Sequence, residues 1–148
     1  LMSDYVRSLL TEAQEQTLVD AITQAELQTS GEIRIHLEKT AGNTSAQKRA
    51  KQWFGKLEMH KTAEKNGVLF YLAIEDRQLA LWAGEGINEK VPANFWQEII
   101  DLMIGEFKVQ HFSEGLVAGV EKTGQALGEF FPRQDDDIDE LSNEISKG

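Results

Sequence analysis

The sequence predicts an α/β protein in which a small mixed sheet is covered by helices on both faces. Residues 68–74 and 79–83 are two apolar runs joined by a short polar corner, a pattern that is typical of a β-hairpin. Residues 32–38 alternate apolar and polar side chains, as a further strand does. Helical periodicity lies before, between and after these strands. We expect one domain over residues 1–132 and an acidic tail over residues 133–148.

The first two elements are a helix and an alternating strand. Thr11 stands three residues before Gln14, which is the spacing of a capping box, and the apolar spacing that follows predicts a helix over 12–29. The strand at 32–38 reads EIRIHLE, with apolar residues at every second position. Its polar side chains are Arg34, His36 and Glu38. Strict alternation indicates one solvent-facing side, so we expect this strand near a sheet edge or facing a partner.

A second helix and a central strand come next. An apolar stripe that includes Trp53 and Phe54 predicts a helix over 46–57. Its other face is basic and carries Lys48, Arg49, Lys51 and Lys56. This face is either simply solvated or a docking patch for the acidic tail or an anionic partner. Residues 68–74 are continuously apolar, which is expected of a strand covered on both faces.

The C-terminal third predicts two helices and a tail. Pro92 suits the first turn of a helix. Ser113 can cap a last helix in which four glycines recur at helical spacing and form a flat strip for close packing. Residues 133–148 carry six acids and two bases, a net charge of 2 − 6 = −4. They are expected to be a solubilising tail or a short amphipathic helix.

Composition excludes several classes of function. The chain has no cysteine, which rules out disulfides and thiolate metal sites. Its net charge of −10 disfavours nucleic acid as a partner. No apolar run is long enough to span a bilayer, and the start does not read as a signal peptide. If Met2 is the natural start, we expect a cytoplasmic protein.

The candidate site is a group of carboxylates. If the first strand crosses over to a parallel neighbour, its carboxyl end at Glu38 lies beside the corner formed by Glu75, Asp76 and Arg77. Oxygen ligands without histidine or cysteine suit calcium or magnesium, and Arg77 could hold a phosphate or a carboxylate. The plainer interpretation is an Asp-containing turn with a weak surface ion pair. Glu32 and Glu85 form a second acidic end at the opposite side of the sheet.

The chain resembles the TPM-domain family, which includes a thylakoid-lumen acid phosphatase, a photosystem-repair protein and a modulator of acetylcholine receptors. The matching motifs, in order, are Ser30-Gly31-Glu32-Ile33, Asn66-Gly67-Val68-Leu69, Asp76-Arg77, Gly84-Glu85-Gly86 and residues 112–119. The resemblance implies a three-layer α/β/α sandwich, a groove whose acidic residues bind divalent cations, and weak phosphatase activity. The polar first strand and Glu85 between its two glycines depart from the family pattern.

Two functions are therefore expected from the sequence. The first is a calcium- or magnesium-binding domain, for which the family resemblance also implies weak phosphatase activity. Its expected metal ligands are Glu38, Glu75 and Asp76, and its expected phosphate ligand is Arg77. The alternative is a non-enzymatic module that binds a protein partner through the basic second helix and the polar first strand.

Overall fold

A computed structural model describes residues 4–133 and 143–148. The helices are α1 (Asp4–Arg7), α2 (Glu12–Glu26), α3 (Ala46–Lys56), α4 (Glu85–Asn88), α5 (Phe95–Lys108) and α6 (Phe112–Phe130). The strands are β1 (Glu32–Glu38), β2 (Gly67–Ala73), β3 (Gln78–Ala83) and β4 (Ser146–Lys147). A single 3₁₀ turn at Met59–Lys61 connects α3 to β2.

The four strands form one mixed sheet in the order β3-β2-β1-β4. β1 runs parallel to β2, in a register that pairs Glu32 with Gly67 and Glu38 with Ala73. β3 returns antiparallel to β2, as the predicted hairpin requires. Every residue of β2 is buried, which confirms the prediction of a central strand covered on both faces.

Helices lie on both faces of the sheet, so the predicted α/β/α sandwich is confirmed. The apolar side chains of β1 join the main core, where they pack with α2, α5 and α6. The opposite face carries two smaller apolar clusters in which Tyr71 and Leu69 of β2 meet side chains of α3. In the described part of the chain, the sheet therefore has a thick apolar layer on one side, and α3 with the 3₁₀ turn on the other.

The polar side of β1 differs from the prediction. It was expected to be wet, yet His36 is 0% exposed and Glu38 is 8% exposed. These side chains face α3, which supplies polar partners and so compensates for the loss of water. The prediction of a solvent-facing polar strand is therefore wrong.

Helix α2 starts as predicted and ends earlier. The capping box is present, because the Thr11 hydroxyl accepts from the Gln14 N–H and the Gln14 side chain accepts from the Thr11 N–H. The helix ends at Glu26, not at residue 29. The buried Thr29 hydroxyl instead donates to the carbonyl of Leu127 at 3.0 Å and thereby ties the turn before β1 to the end of α6.

The predicted glycine strip on α6 lies against other elements of the fold. A Cβ atom at Gly115 would meet the Phe107 ring at 2.6 Å, and one at Gly119 would meet the Met103 sulfur at 2.5 Å. At Gly124 the Cβ would come within 2.7 Å of the Cβ of Ala25 on α2. The strip therefore lets α6 approach both α5 and α2 closely.

Replacing Gly124 with alanine is expected to lower the free energy of unfolding by about 1 to 2 kcal/mol. The added methyl meets Ala25, which has no flexible end to move, so α2 and α6 must separate. Gly105→Ala on α5 is the matched control, because nothing lies within 4 Å of its Cβ position. The control should gain up to about 1 kcal/mol from helix propensity. Urea denaturation of both variants measures the contrast, and equal effects would contradict the close packing of α2 on α6.

The last residues of the chain add a short fourth strand to the sheet. Residues 143–148 were expected to belong to a solubilising tail or to a short amphipathic helix, but Ser146–Lys147 form a strand parallel to β1 and Ile145 is 7% exposed. Residues 134–142 lie outside the described residues. Within the described part of the chain, the helices are too short or too polar to cross a membrane.

Candidate functional site

The predicted corner is assembled by the backbone. Because β1 and β2 are parallel, their carboxyl ends meet, and the N–H of Ile74 donates to the carbonyl of Glu38 at 2.8 Å. The N–H of Glu75 donates to the carbonyl of Lys39 at 2.9 Å. Arg77 occupies the left-handed position of the turn, with φ 53°. The topology thus brings the end of β1 and the turn between β2 and β3 together, as the sequence predicts.

Asp76 fastens this turn to the loop that follows β1. Its carboxylate accepts hydrogen bonds from the Thr40 hydroxyl at 2.9 and 3.0 Å and from the N–H of Ala41 at 2.8 Å. The side chain is therefore held in one place. An ionised carboxylate has about four acceptor positions, so these contacts leave Oδ1 with capacity for a further ligand.

Glu75 and Arg77 stand exposed beside Asp76. The nearest charge to Glu75 is the Lys39 ammonium, 3.8 Å from its Oε1, and more than half of each of these two side chains is exposed. An ion pair of this kind contributes less than about 1 kcal/mol and exchanges readily with solvent ions. The corner thus presents two carboxylates, Glu75 and Asp76, at an accessible surface together with two basic side chains, Lys39 and Arg77.

Glu38, the third predicted metal ligand, points away from the corner and into the layer below α3. Its Oε1 accepts from Arg49 Nε at 2.9 Å and from the Tyr71 hydroxyl at 2.7 Å. Its Oε2 accepts from Arg49 Nη2 at 2.5 Å and from Trp53 Nε1 at 3.0 Å. Although burial opposes ionisation, the hydrogen bonds from Arg49, Tyr71 and Trp53 lower the pKa of Glu38.

The predicted trio of Glu38, Glu75 and Asp76 therefore does not converge on one metal ion. Four donors already satisfy Glu38, while the other two carboxylates stand at the surface. Across residues 4–133 and 143–148, no three carboxylate or histidine side chains are grouped in a way that could hold a metal. The residues present do not fit a metal centre with three protein carboxylates.

The second acidic end is also not an open pair of carboxylates. Glu32 is 2% exposed, whereas Glu85 is exposed at the start of α4. The backbone N–H of Glu32 donates to the carbonyl of Asn66 at 3.4 Å, so this end of β1 is tied to the residue before β2. The exposed carboxylates at this end are therefore Glu85 and Glu64. Glu64 accepts hydrogen bonds from Ser30 and Asn66.

His36 joins the network around Glu38. Its ring stacks on Trp53 with the centroids 3.8 Å apart, and its Nδ1 lies 2.8 Å from the Ser146 hydroxyl. Its Nε2 is 3.9 Å from Glu38 Oε2. Burial lowers the pKa of His36 to about 4, although the charge of Glu38 opposes this shift. The imidazole is consequently neutral at physiological pH.

Sequence reasoning missed this network. Arg49 was assigned to a solvated basic face and Trp53 to an apolar stripe, yet both reach over β1 to Glu38. Their spacing of four residues on one helix face was the available signal. The remaining lysines of α3 are exposed, with Lys51 over the ring of Trp82 and Lys56 over that of Trp53. A docking role for this basic face stays a prediction.

The fold and the site define a small α/β/α domain with two exposed carboxylates in the turn at the carboxyl ends of two parallel strands and a buried ionic network beside that turn. The family model of the TPM domain matches residues 3–126, so this chain belongs to the TPM domain family. No curated protein matches the sequence.

Solved structures with the same fold come from several bacteria. The BA42 protein of the psychrophilic bacterium Bizionia argentinensis is 47% identical, with a TM-score of 0.87 over 94% of this chain and 95% of that one. The N-terminal domain of a P. gingivalis protein is 24% identical, with a TM-score of 0.70 over 85% of this chain and 82% of that one. The N-terminal domain of cg2496 from Corynebacterium glutamicum is 12% identical, with a TM-score of 0.58 over 81% and 75%. The last two show the fold alone.

Proposed function

We propose that this TPM domain binds a hydrated divalent cation, magnesium or calcium, at the turn between β2 and β3 through Glu75 and Asp76. The observation that supports the proposal is the fixed position of Asp76, whose carboxylate is held by Thr40 and Ala41 next to the exposed Glu75. A turn that is already ordered does not have to be ordered by the cation, which lowers the free-energy cost of binding.

The donor set fits a cation that keeps most of its water. Magnesium dehydrates reluctantly and is commonly bound through one or two carboxylates. Two carboxylates at an exposed turn suit that mode, and Glu38 is not needed for it. With so few protein ligands, the dissociation constant is expected to be about a millimolar.

Arg77 extends the proposal to phosphate esters. Its guanidinium is exposed on the same turn, and a planar fork of donors suits a phosphate group. The family name suggests a phosphatase, and we propose phosphate-ester binding beside the cation as the property from which weak, cation-dependent hydrolysis would follow. Hydrolysis that persists after the cation is chelated would contradict this link.

A magnesium and calcium titration monitored by backbone amide NMR tests the proposal. Saturable shifts are expected at residues 39–41 and 75–77. Glu75→Gln should weaken cation binding several-fold, because it removes one negatively charged ligand. It should leave the turn in place, because Asp76 makes the side-chain hydrogen bonds to the loop after β1. Glu58→Gln is the matched control, since Glu58 is also a largely exposed carboxylate and pairs with Lys61 at 3.0 Å elsewhere on the surface.

Three outcomes of this titration are informative. The absence of a saturable shift at a cation concentration about ten times the expected dissociation constant would contradict cation binding at the turn between β2 and β3. Equal affinities for the wild-type chain and Glu75→Gln would exclude Glu75 as a ligand. Shifts concentrated at Glu32 and Glu85 would move the cation to the opposite end of the sheet.

A further inference from the structure

The segment 143–148 lies along the outer edge of β1. Its strand pairs Ser146 with His36 and Lys147 with Leu37, and the N–H of Gly148 donates to the carbonyl of Leu37 at 2.8 Å. The other half of the same edge is protected differently, because the Glu26 carboxylate accepts from the N–H of Ile33 at 2.8 Å. The edge of β1 thus presents a short stretch of backbone that takes up an extended peptide.

Side chains of the segment meet complementary groups on both sides of the sheet. On the α3 side, the Ser146 hydroxyl lies 2.8 Å from His36 Nδ1. On the α2 side, the Lys147 ammonium pairs with Glu15 at 2.7 Å. Ile145 packs into the main core, where it is 7% exposed. Three successive side chains of the segment, Ile145, Ser146 and Lys147, therefore have an apolar, a hydroxyl-binding and an acidic subsite.

The two ends of the segment add further selectivity. Glu144 attracts the half-buried guanidinium of Arg34. Gly148 sits where a Cβ atom would lie 2.8 Å from Glu38 Oε2 and 2.9 Å from His36 Nε2, so the subsite excludes a side chain. The Tyr5 hydroxyl donates to the carbonyl of Gly148. The groove thus selects an acid, an apolar residue, a serine, a lysine and a glycine in that order.

The ten peptide units between residues 133 and 143 can span more than the distance between the two points at which these residues contact α2. Before the gap, the Arg133 guanidinium donates to the carbonyl of Glu26 at 3.1 Å. After it, the Asn143 side chain donates to the Thr23 hydroxyl at 3.3 Å. Both anchor points lie within about one turn of α2, whereas the ten peptide units between residues 133 and 143 can extend over roughly 33–36 Å. That excess length permits the segment to reach a neighbouring molecule.

We propose that the outer edge of β1 is a strand-acceptor groove, and that residues 143–148 of a second copy of this chain occupy it in trans. The second copy is the occupant because its segment carries the side chains that the subsites match. Exchange of the segment between two copies requires few new contacts, since the hydrogen bonds and ion pairs that form within one molecule also form between two. In the wild-type chain the tethered segment competes at an effective concentration of about a millimolar, so the closed monomer prevails when the protein is dilute.

Two full-length variants test the proposal. One, the donor, has the charges of its groove reversed, and the other, the acceptor, has the charges of its segment reversed. The donor carries Arg34→Glu and Glu15→Lys, which reverse the groove and leave its own segment wild-type. The acceptor carries Glu144→Lys and Lys147→Glu, which reverse the segment and leave its groove wild-type. Each variant alone repels its own segment. In an equimolar mixture every segment meets a matching groove only on the other molecule.

Sedimentation velocity should find monomers in each separate sample and a dimer in the mixture at about a millimolar. In a mixture with isotope-labelled acceptor, the amide signals of residues 36–38 should return to their wild-type positions. A chain that combines all four substitutions is the matched control and should stay monomeric with wild-type-like signals at residues 36–38. A mixture that stays monomeric and leaves these signals displaced would overturn the proposal. A combined variant that does not recover them would overturn the assignment of the two charge subsites.

Discussion

Replacing Glu38 with glutamine is expected to lower the free energy of unfolding by about 3 kcal/mol, the largest effect of any single substitution considered for this domain. The carboxylate accepts four hydrogen bonds, two from Arg49 and one each from Trp53 and Tyr71. Glutamine has the same shape, but its amide nitrogen would face donors where an acceptor is required. The change also leaves the guanidinium of Arg49 without its partner charge below α3.

Urea denaturation at neutral pH measures this loss. Glu75→Gln is the control, because it removes a carboxylate of similar size from an exposed pair with Lys39 and should cost less than about 0.5 kcal/mol. A double-mutant cycle with Tyr71→Phe should give a coupling energy of about 1 kcal/mol or more, since Tyr71 donates directly to Glu38. A Glu38→Gln variant as stable as the control would show that the network contributes no stability.

The sequence was sufficient to predict the layers of this fold. The continuous apolar run of β2 requires cover on both faces, and the hairpin to β3 follows from a corner too short for a crossover. Parallel pairing of β1 with β2 followed from the helix between them. These inferences depend on periodicity and on chain connectivity, both of which are local properties that one sequence displays.

The fate of the polar residues on β1 was not predictable in the same way. Alternation shows that His36 and Glu38 share one side of a strand, but it does not distinguish water from a polar helix above them. The difference lies in Arg49 and Trp53, whose side chains cross from α3 to the strand. Pairing across elements depends on the distance and rotation of α3, which periodicity alone does not fix.

For Asp76 and for β4, the sequence predicted only part of the structural role or none of it. Asp76 was predicted as a turn residue or a ligand, and the structure adds its hydrogen bonds to Thr40 and Ala41, which depend on where the loop after β1 folds. β4 was missed because two residues are too few to show a period. β4 forms only by pairing with β1, which lies more than 100 residues earlier in the chain.

His36 makes the stability of the domain depend on pH in a defined window. Its ring is 0% exposed and stacked on Trp53, and burial lowers its pKa to about 4 from the usual 6.5. Glu38 opposes the shift by favouring the protonated ring. The positive charges of Arg49, Arg34 and Lys56 add to the shift. The unfolded chain therefore binds a proton near pH 6.5 that the folded protein does not bind until about pH 4.

Between these two values the unfolded state holds more protons, so the free energy of unfolding must fall as the pH is lowered. The decrease attributable to His36 should be about 2 to 3 kcal/mol between roughly pH 7 and roughly pH 4.5. The lowered pKa of Glu38 adds to the loss at lower pH, where that carboxylate becomes protonated. Urea denaturation across this range tests the prediction with two variants. His36→Phe keeps a ring on Trp53 without a titrating group and should remove most of the slope, whereas His60→Gln, at an exposed histidine, should retain it. An unchanged slope in His36→Phe would mean that the buried imidazole is not the group whose protonation destabilises the fold.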